Sequence, residues 1–345
     1  MFRSKTVFVV GAGASCELSF PSGAQLLNQI ADSLDIYFDD GNYMRRGDSR
    51  LYQAFQQLAG QGSNLSLNDL QFAGWRVRDA AKLGLSIDNV IHQFADDGLV
   101  ARVAKLAIAY KILQAEESSS FLRLNTDLRP PNIDLASIRN TWLGGLAQLL
   151  VQDLTRSQAE RIFDNLAIIS FNYDRSIRRF LPFALSSQFG ISTGESQEIS
   201  KQLRIFYPYG SLGPLPWEAS EGTEFGDADH APLIDVSTRI RTFTEQVEES
   251  ESLASMRQAL SEARHVVFLG FGYHRQNMTL LSDGVKGSAL RVFGTSQGLS
   301  GSDREVVSGQ ATQFIDTKYQ GHINPVLPTL DCVSFIREYF RALTS

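Results

Sequence analysis

Four short stretches carry residues that could do chemistry together: Gly11-Ala12-Gly13-Ala14-Ser15, Asn172-Tyr173-Asp174, Gly270-Phe271-Gly272-Tyr273-His274 and Gly294-Thr295-Ser296. Each follows a short apolar run, at residues 6–10 (TVFVV), 166–170 (LAIIS), 265–269 (HVVFL) and 290–293 (LRVF). Such runs read as strands buried on both faces, as in a parallel sheet. The carboxyl ends of parallel strands share one edge, and open α/β sheets bind ligands there. Glycine at that edge frees the backbone and lets a ligand approach the main chain. A strand, a glycine turn and a helix leave backbone N–H groups where a diphosphate could sit. Asn172 and Asp174 add an amide and a carboxylate. One glycine turn alone also fits a tight turn that binds nothing. Several on one edge fit a cleft for an extended ligand with phosphates, a nucleotide or dinucleotide.

Other readings of the same residues stand beside this one. The first turn is GxG without the third glycine of the six-residue dinucleotide fingerprint, and no acidic residue is clearly placed at the end of a second strand. Asn172 and Asp174 could cap the helix that follows them. His274 and His230 are candidate bases, and each also reads as a surface residue. His92 and His265 read as structural, Cys16 as a small buried residue, and Trp75, Phe94 and Tyr110 as core.

The elements that must position these groups follow from spacing. After Gly23, the run AQLLNQIADSL puts Ala24, Leu26, Leu27, Ile30, Ala31 and Leu34 on one helix face. Residues 37–47 read as a loop. From 48 to 156 apolar residues recur every three or four positions, as in Leu51, Ala54, Phe55 and Leu58, or Val100 to Ala115, so amphipathic helices are expected. Ser86-Ile87-Asp88 and Asp69 mark helix starts, Arg129-Pro130-Pro131 breaks the pattern, and one helix is expected over 134–154. Further on, the spacing predicts a helix over 176–185, a polar linker over 190–200 and a strand over 202–207. A mobile acidic loop over 218–230 follows. Helices over 248–263, 278–281 and 329–343 close the chain, and the acidic run 245–251 reads as a solvated helix face. The expected architecture is α/β: a Rossmann-like parallel sheet, formed by 1–47 and 157–345, with a mostly helical insertion at 48–156.

Bulk properties narrow the classes. The 345 residues are 43% hydrophobic and 20% charged, with net charge −6 and a pI near 5.5. That is a globular composition, with no general attraction to nucleic acid or anionic membranes. No signal peptide and no apolar stretch of ~20 residues is visible, so a cytoplasmic location is expected. Two cysteines, Cys16 and Cys332, fit a reducing compartment and exclude a cysteine-only zinc site within one chain.

At this point the residues resemble a family. GAGAS followed by FPSG is similar to the first nucleotide-binding turn of sirtuins and sirtuin-like bacterial proteins. FNYD at 171–174 resembles their strand-end segment with Asn and Asp. YPYGSLG at 207–213 resembles the segment that carries their catalytic histidine. GFGYHRQN at 270–277 and FGTS at 293–296 are similar to their later turns. The matches come in the family's order and cover about 1–35 and 160–300. Several bacterial relatives are NAD-consuming effectors of anti-phage defence. The resemblance implies NAD in the cleft and no metal. Gly11, Ala12, Gly13 and Ser15 would line its phosphates. Asn172 would face the nicotinamide ribose, and Asp174 would hold that loop or bind ribose. Gly270, Gly272, His274 and Asn277 would hold the adenosine half, with Gly294 and Thr295 at the rim. Two departures matter. Two cysteines cannot build the four-cysteine zinc ribbon of deacylating sirtuins, so deacylation is not expected. Tyr209, or Tyr207 two places earlier, stands where the family has its histidine, and a tyrosine is a poor base at neutral pH. The implied activity is NAD hydrolysis to nicotinamide and ADP-ribose, in a homo-oligomer or under a partner protein's control. The alternative is a non-catalytic sensor of NAD, ADP-ribose or a signalling nucleotide.

Overall fold

The computed structural model describes residues 2–39, 43–60, 65–127, 131–241, 245 and 251–344. In chain order its strands are β1 (Thr6–Val10), β2 (Tyr37–Asp39), β3 (Tyr43–Arg46), β4 (Leu166–Ser170), β5 (Arg204–Phe206), β6 (His265–Leu269) and β7 (Arg291–Gly294). Five of them form one sheet of order β5-β4-β1-β6-β7, parallel throughout. The expected α/β class with a Rossmann-like parallel sheet is what the chain adopts. Register sets the functional edge: Val10 lies level with Ser170 of β4 and Leu269 of β6. The next residues, Gly11, Phe171 and Gly270, therefore emerge side by side.

Alternation along β1 divides the core. Val7 and Val9 join one apolar cluster, Phe8 and Val10 the other, so both faces are covered, as parallel sheets require. After the short α1 (Ala12–Cys16), the first face carries α2 (Gly23–Leu34), α3 (Ser49–Gly60), α4 (Leu67–Ala81), α5 (Ile87–Gln93) and α6 (Gly98–Ser118). The second carries α8 (Trp142–Val151), α9 (Ser176–Phe189) and the helix Cys332–Thr344. No described helix is long and apolar enough to cross a membrane.

Local chemistry sets the helix starts. Ser22 caps α2 in a reciprocal box with Gln25, and Ser86 caps α5. The α4 start shifts from the expected Asp69 to Ser66, with Asp69 as its box partner. Asp97 opens α6 through the N–H groups of Leu99 and Val100.

Several expectations are corrected. Residues 37–47 are not a plain loop: β2 and β3 pair antiparallel. The helix expected over 134–154 is interrupted. Its first turn, α7 (Leu135–Ile138), stops where Thr141 turns extended and donates its hydroxyl to Ile138 O, and α8 restarts with Gly144 against that carbonyl. The linker expected over 190–200 contains α10 (Thr193–Lys201). Its Ser196 and Ser200 are buried and donate to carbonyls of their own helix. Pro131 and the helix Glu251–Glu262 are described, whereas Arg129-Pro130, 242–244 and 246–250 lie outside the described residues.

Candidate functional site

Asn172 is the centre of the edge. Its side-chain nitrogen donates to Gly11 O at 3.0 Å and to the Ser15 hydroxyl at 2.8 Å. Ser15 donates onward to Asp174 Oδ2 at 2.7 Å, and Asp174 Oδ1 accepts the Ser176 N–H at 3.0 Å. All three side chains are buried. With both amide hydrogens fixed on protein acceptors, Asn172 can turn only its Oδ1 elsewhere, and that oxygen has no partner among the described residues. Asp174 accepts the N–H of Ser176, the first residue of α9, from one place before the N-cap Arg175, and it also accepts the Ser15 hydroxyl; among the described residues Asn172 accepts from no N–H of that helix.

These groups line a cavity of about 80 Å³, together with Ala12, Phe20, Pro21, Ile87, Asp88 and Tyr173. That is room for a few waters or one small ring. A larger groove of about 730 Å³, along Gln25, Gln29, Lys111 and Gln114, shares the Phe20–Pro21 wall. The paired amide and carboxylate chemistry sits in the smaller space. The helical region supplies Ser86, Ile87, Asp88 and Ile112 to it.

From the sequence alone Asp88 is only part of a helix start. The Tyr173 hydroxyl donates to its Oδ1. Desolvation raises the Asp88 carboxyl above the ordinary carboxylate range; the bonds from Tyr173 and its own backbone N–H, and the charge of His274, pull it back. Burial beside Asp88 pushes the Tyr173 phenol up in turn. No sequence pattern ties Asp88 to Tyr173, 85 residues away.

The two glycine turns pack on each other. Gly13 N donates to Gly270 O at 2.9 Å, and Gly270, at φ +56°, lies so near Ala14 N that a Cβ would sit 2.0 Å from it. This contact accounts for the glycines without a ligand. Thr295 Oγ1 accepts the Gly270 N–H at 2.9 Å, and Thr295 O accepts the Tyr273 hydroxyl at 3.1 Å, under which Gly294 packs. The four strand ends are thus joined, but of the site residues expected from the sequence only Ala12, Ser15, Asn172 and Asp174 line the cavity; Gly11, Gly13, Gly270, Gly272, His274, Asn277, Gly294, Thr295 and both Tyr207 and Tyr209 do not.

Of the tyrosines at the histidine position, Tyr209 is drawn inward and Tyr207 is half-buried. Tyr209 is buried against Phe171 and donates to Asn277 Oδ1 at 2.6 Å. Burial, and then the charge of Asp88, pushes its phenol up. Tyr207 is also pushed up, chiefly by burial. Neither is a base at neutral pH. His230 is exposed and pairs with Asp227 at 3.0 Å, and His274 is exposed at the start of the helix Arg275–Ser282.

Behind the edge, Arg175 and Glu116 form a fully buried pair at 2.6 Å. Arg175 also donates to Thr223 O at 2.5 Å and Glu224 O at 2.9 Å, and Glu116 accepts the Gly226 N–H at 3.1 Å. The 218–230 loop, expected to be mobile, is therefore anchored at 223–226. Sequence reasoning singled out neither residue. Among the described residues no group of three or more His, Cys, Asp or Glu is placed to hold a metal ion.

No protein-family model matches the chain, and no curated protein does. Among solved structures it is similar to Sir2 in complex with the inhibitor EX-527, 2'-O-acetyl-ADP-ribose and deacetylated p53 peptide, at 14% identity over 99% of this chain and 94% of that one, TM-score 0.34. A Sir2–p53 peptide–NAD+ structure gives 14% over 99% and 93%, TM-score 0.34. A likeness this slight bears on neither family nor activity; the fold rests on the strand register above.

Proposed function

We propose that the chain is a sirtuin-like NAD glycohydrolase, splitting NAD into nicotinamide and ADP-ribose, with NAD as substrate rather than resident cofactor. The ordered motifs support a sirtuin-like reading. The observation that carries the hydrolase is Asn172, a residue of the cavity wall whose amide hydrogens are both committed and whose carbonyl oxygen has no partner among the described residues. Loss of nicotinamide from NAD develops positive charge on the ribose. A fixed carbonyl dipole at that centre stabilises it without reorganising, and the same oxygen can orient the water that follows. Asp174 and Ser15 serve by holding Asn172. Gly11, Ala12 and Gly13 flank the phosphates. Gly270, Gly272, His274, Asn277, Gly294 and Thr295 form the adenosine side, with Tyr209 steadying Asn277.

In this reading residues 48–156 are an insertion into the domain built from 1–47 and 157–345, and they form one wall of the cavity. Free NAD hydrolysis would kill the host cell, so an oligomer or a partner protein encoded nearby restrains the enzyme, in the cytoplasm and in the service of anti-phage defence. The second reading is a non-catalytic sensor, favoured by the absence of a histidine from the cavity-lining residues.

Purified protein incubated with NAD separates the two. Nicotinamide release followed by chromatography, abolished in Asn172→Ala while calorimetric affinity stays within about threefold, supports the hydrolase. Binding without release supports the sensor, and neither binding nor release removes NAD as the ligand.

A further inference from the structure

We infer that Asp88, contributed by the helical region, is the proton-accepting catalytic residue of this cavity. The inference rests on the hydrolase reading and names the group that replaces the missing histidine. It follows from what each ionisable neighbour is already doing. Asp174 is tied through Ser15 to the Asn172 amide and through Ser176 to the start of α9, so its place is to hold Asn172. The Tyr209 proton is held on Asn277. Tyr207, His230 and His274 do not line the cavity.

Asp88 does line it, together with Asn172. Its carboxylate accepts the Tyr173 hydroxyl and its own backbone N–H, and among the described residues it has no lysine or arginine partner. A half-buried carboxylate in a cavity wall, hydrogen-bonded to a phenol and bound to no lysine or arginine among the described residues, is the kind of group that does chemistry. The titratable groups around it are Tyr173 and Asp174 on the strand-end segment, Tyr209 on the 207–213 loop and His274 on the second glycine turn.

The reaction balances with NAD and water alone. The C1'–N bond breaks with its electron pair going to the ring nitrogen, which leaves as neutral nicotinamide. Water oxygen, oriented by Asn172 Oδ1, bonds to C1'. Its proton passes to the Asp88 carboxylate and then to solvent. Asp88 must be ionised to act, so kcat rises with pH through the Asp88 pKa and then levels. Removing the Tyr173 hydroxyl removes a bond that favours the ionised form, so the acid limb moves to higher pH.

The test is nicotinamide release by the full chain and by Asp88→Asn, Asp88→Glu and Tyr173→Phe, with NAD affinity measured on each. Asp88→Asn keeps an acceptor for Tyr173, so the fold is retained. The expected results are a fall in kcat of ~100-fold or more in Asp88→Asn at an affinity within about threefold, partial recovery in Asp88→Glu, and an acid limb shifted upward in Tyr173→Phe. Wild-type release with Asp88→Asn equally active overturns Asp88 alone. A wild type that releases no nicotinamide overturns the hydrolase reading and this assignment with it.

Discussion

Ser15 accepts an amide hydrogen of Asn172 at 2.8 Å, across 157 residues of sequence. That bond leaves the Asn172 carbonyl oxygen only one direction to face, and it passes the strain of any loosening on to Asp174, which Ser15 holds at 2.7 Å. Ser15→Ala strands an amide hydrogen and a carboxylate oxygen together. We expect a stability loss of about 1–3 kcal/mol in urea denaturation. Nicotinamide release should fall by about 100-fold as Asn172 reorients, with little change in NAD affinity. Release at the wild-type rate would show that Asn172 needs no such anchor.

Gly270 and Gly190 share a left-handed backbone, at φ +56° and +61°, but not a neighbourhood. A Cβ on Gly190 meets nothing within 4 Å, so Gly190→Ala costs only the torsional strain, about 1–2 kcal/mol. A Cβ on Gly270 falls 2.0 Å from Ala14 N and 2.5 Å from Gly13 C. Gly270→Ala must part the two turns and should cost about 4 kcal/mol or more. Comparable losses for the two variants in thermal unfolding would mean that the turns do not bear on each other.

What the sequence made legible follows from how local each signal is. The β1, β4 and β6 runs are short, apolar and bounded by turn residues, and their spans are read directly. α10 was hidden because its serines look polar, yet they satisfy themselves on their own helix carbonyls and go inside. The break at Thr141 depends on a side chain closing on Ile138, which spacing cannot reveal. At the site, Asn172 and Asp174 stood out by their place after a strand. Asp88 did not, because an acid in the first turn of a helix has an ordinary explanation and its partner lies in a distant segment. The glycines were legible as glycines, but their cause, turn packed on turn, belongs to the tertiary structure.

Glu116 and Arg175 tie α6 to the strand end and to the 223–226 segment. Removing one member leaves the other charge buried and alone, so Glu116→Gln or Arg175→Met should each cost about 3–5 kcal/mol. The double variant should cost less than the sum of the two. Hydrogen exchange should quicken at Gly226, whose N–H loses its carboxylate acceptor in Glu116→Gln. Unchanged protection there would mean that the segment is held by other contacts.

His265 gives the chain a sensitivity to mild acid. It opens β6, is 7% exposed, and its Nδ1 finds no partner among the described residues. Burial, and then the charge of Arg291, holds its pKa below the usual 6.5. The unfolded chain therefore takes up a proton before the folded chain does. The stability that this group contributes is complete above pH 6.5 and is lost as pH falls from there through the folded value. Asp88 and Glu17 act in the opposite sense, since burial raises both carboxyls and the folded state binds their protons more readily. The comparison must therefore be between variants. His265→Phe, set against Phe293 at a ring separation now 6.4 Å, retains an aromatic ring and cannot titrate. Urea midpoints of wild type and variant, measured at pH 7.5 and pH 5.5, should show the wild type losing more on acidification, because every other group cancels in the difference. Equal losses in the two proteins would place the acid sensitivity elsewhere in the chain.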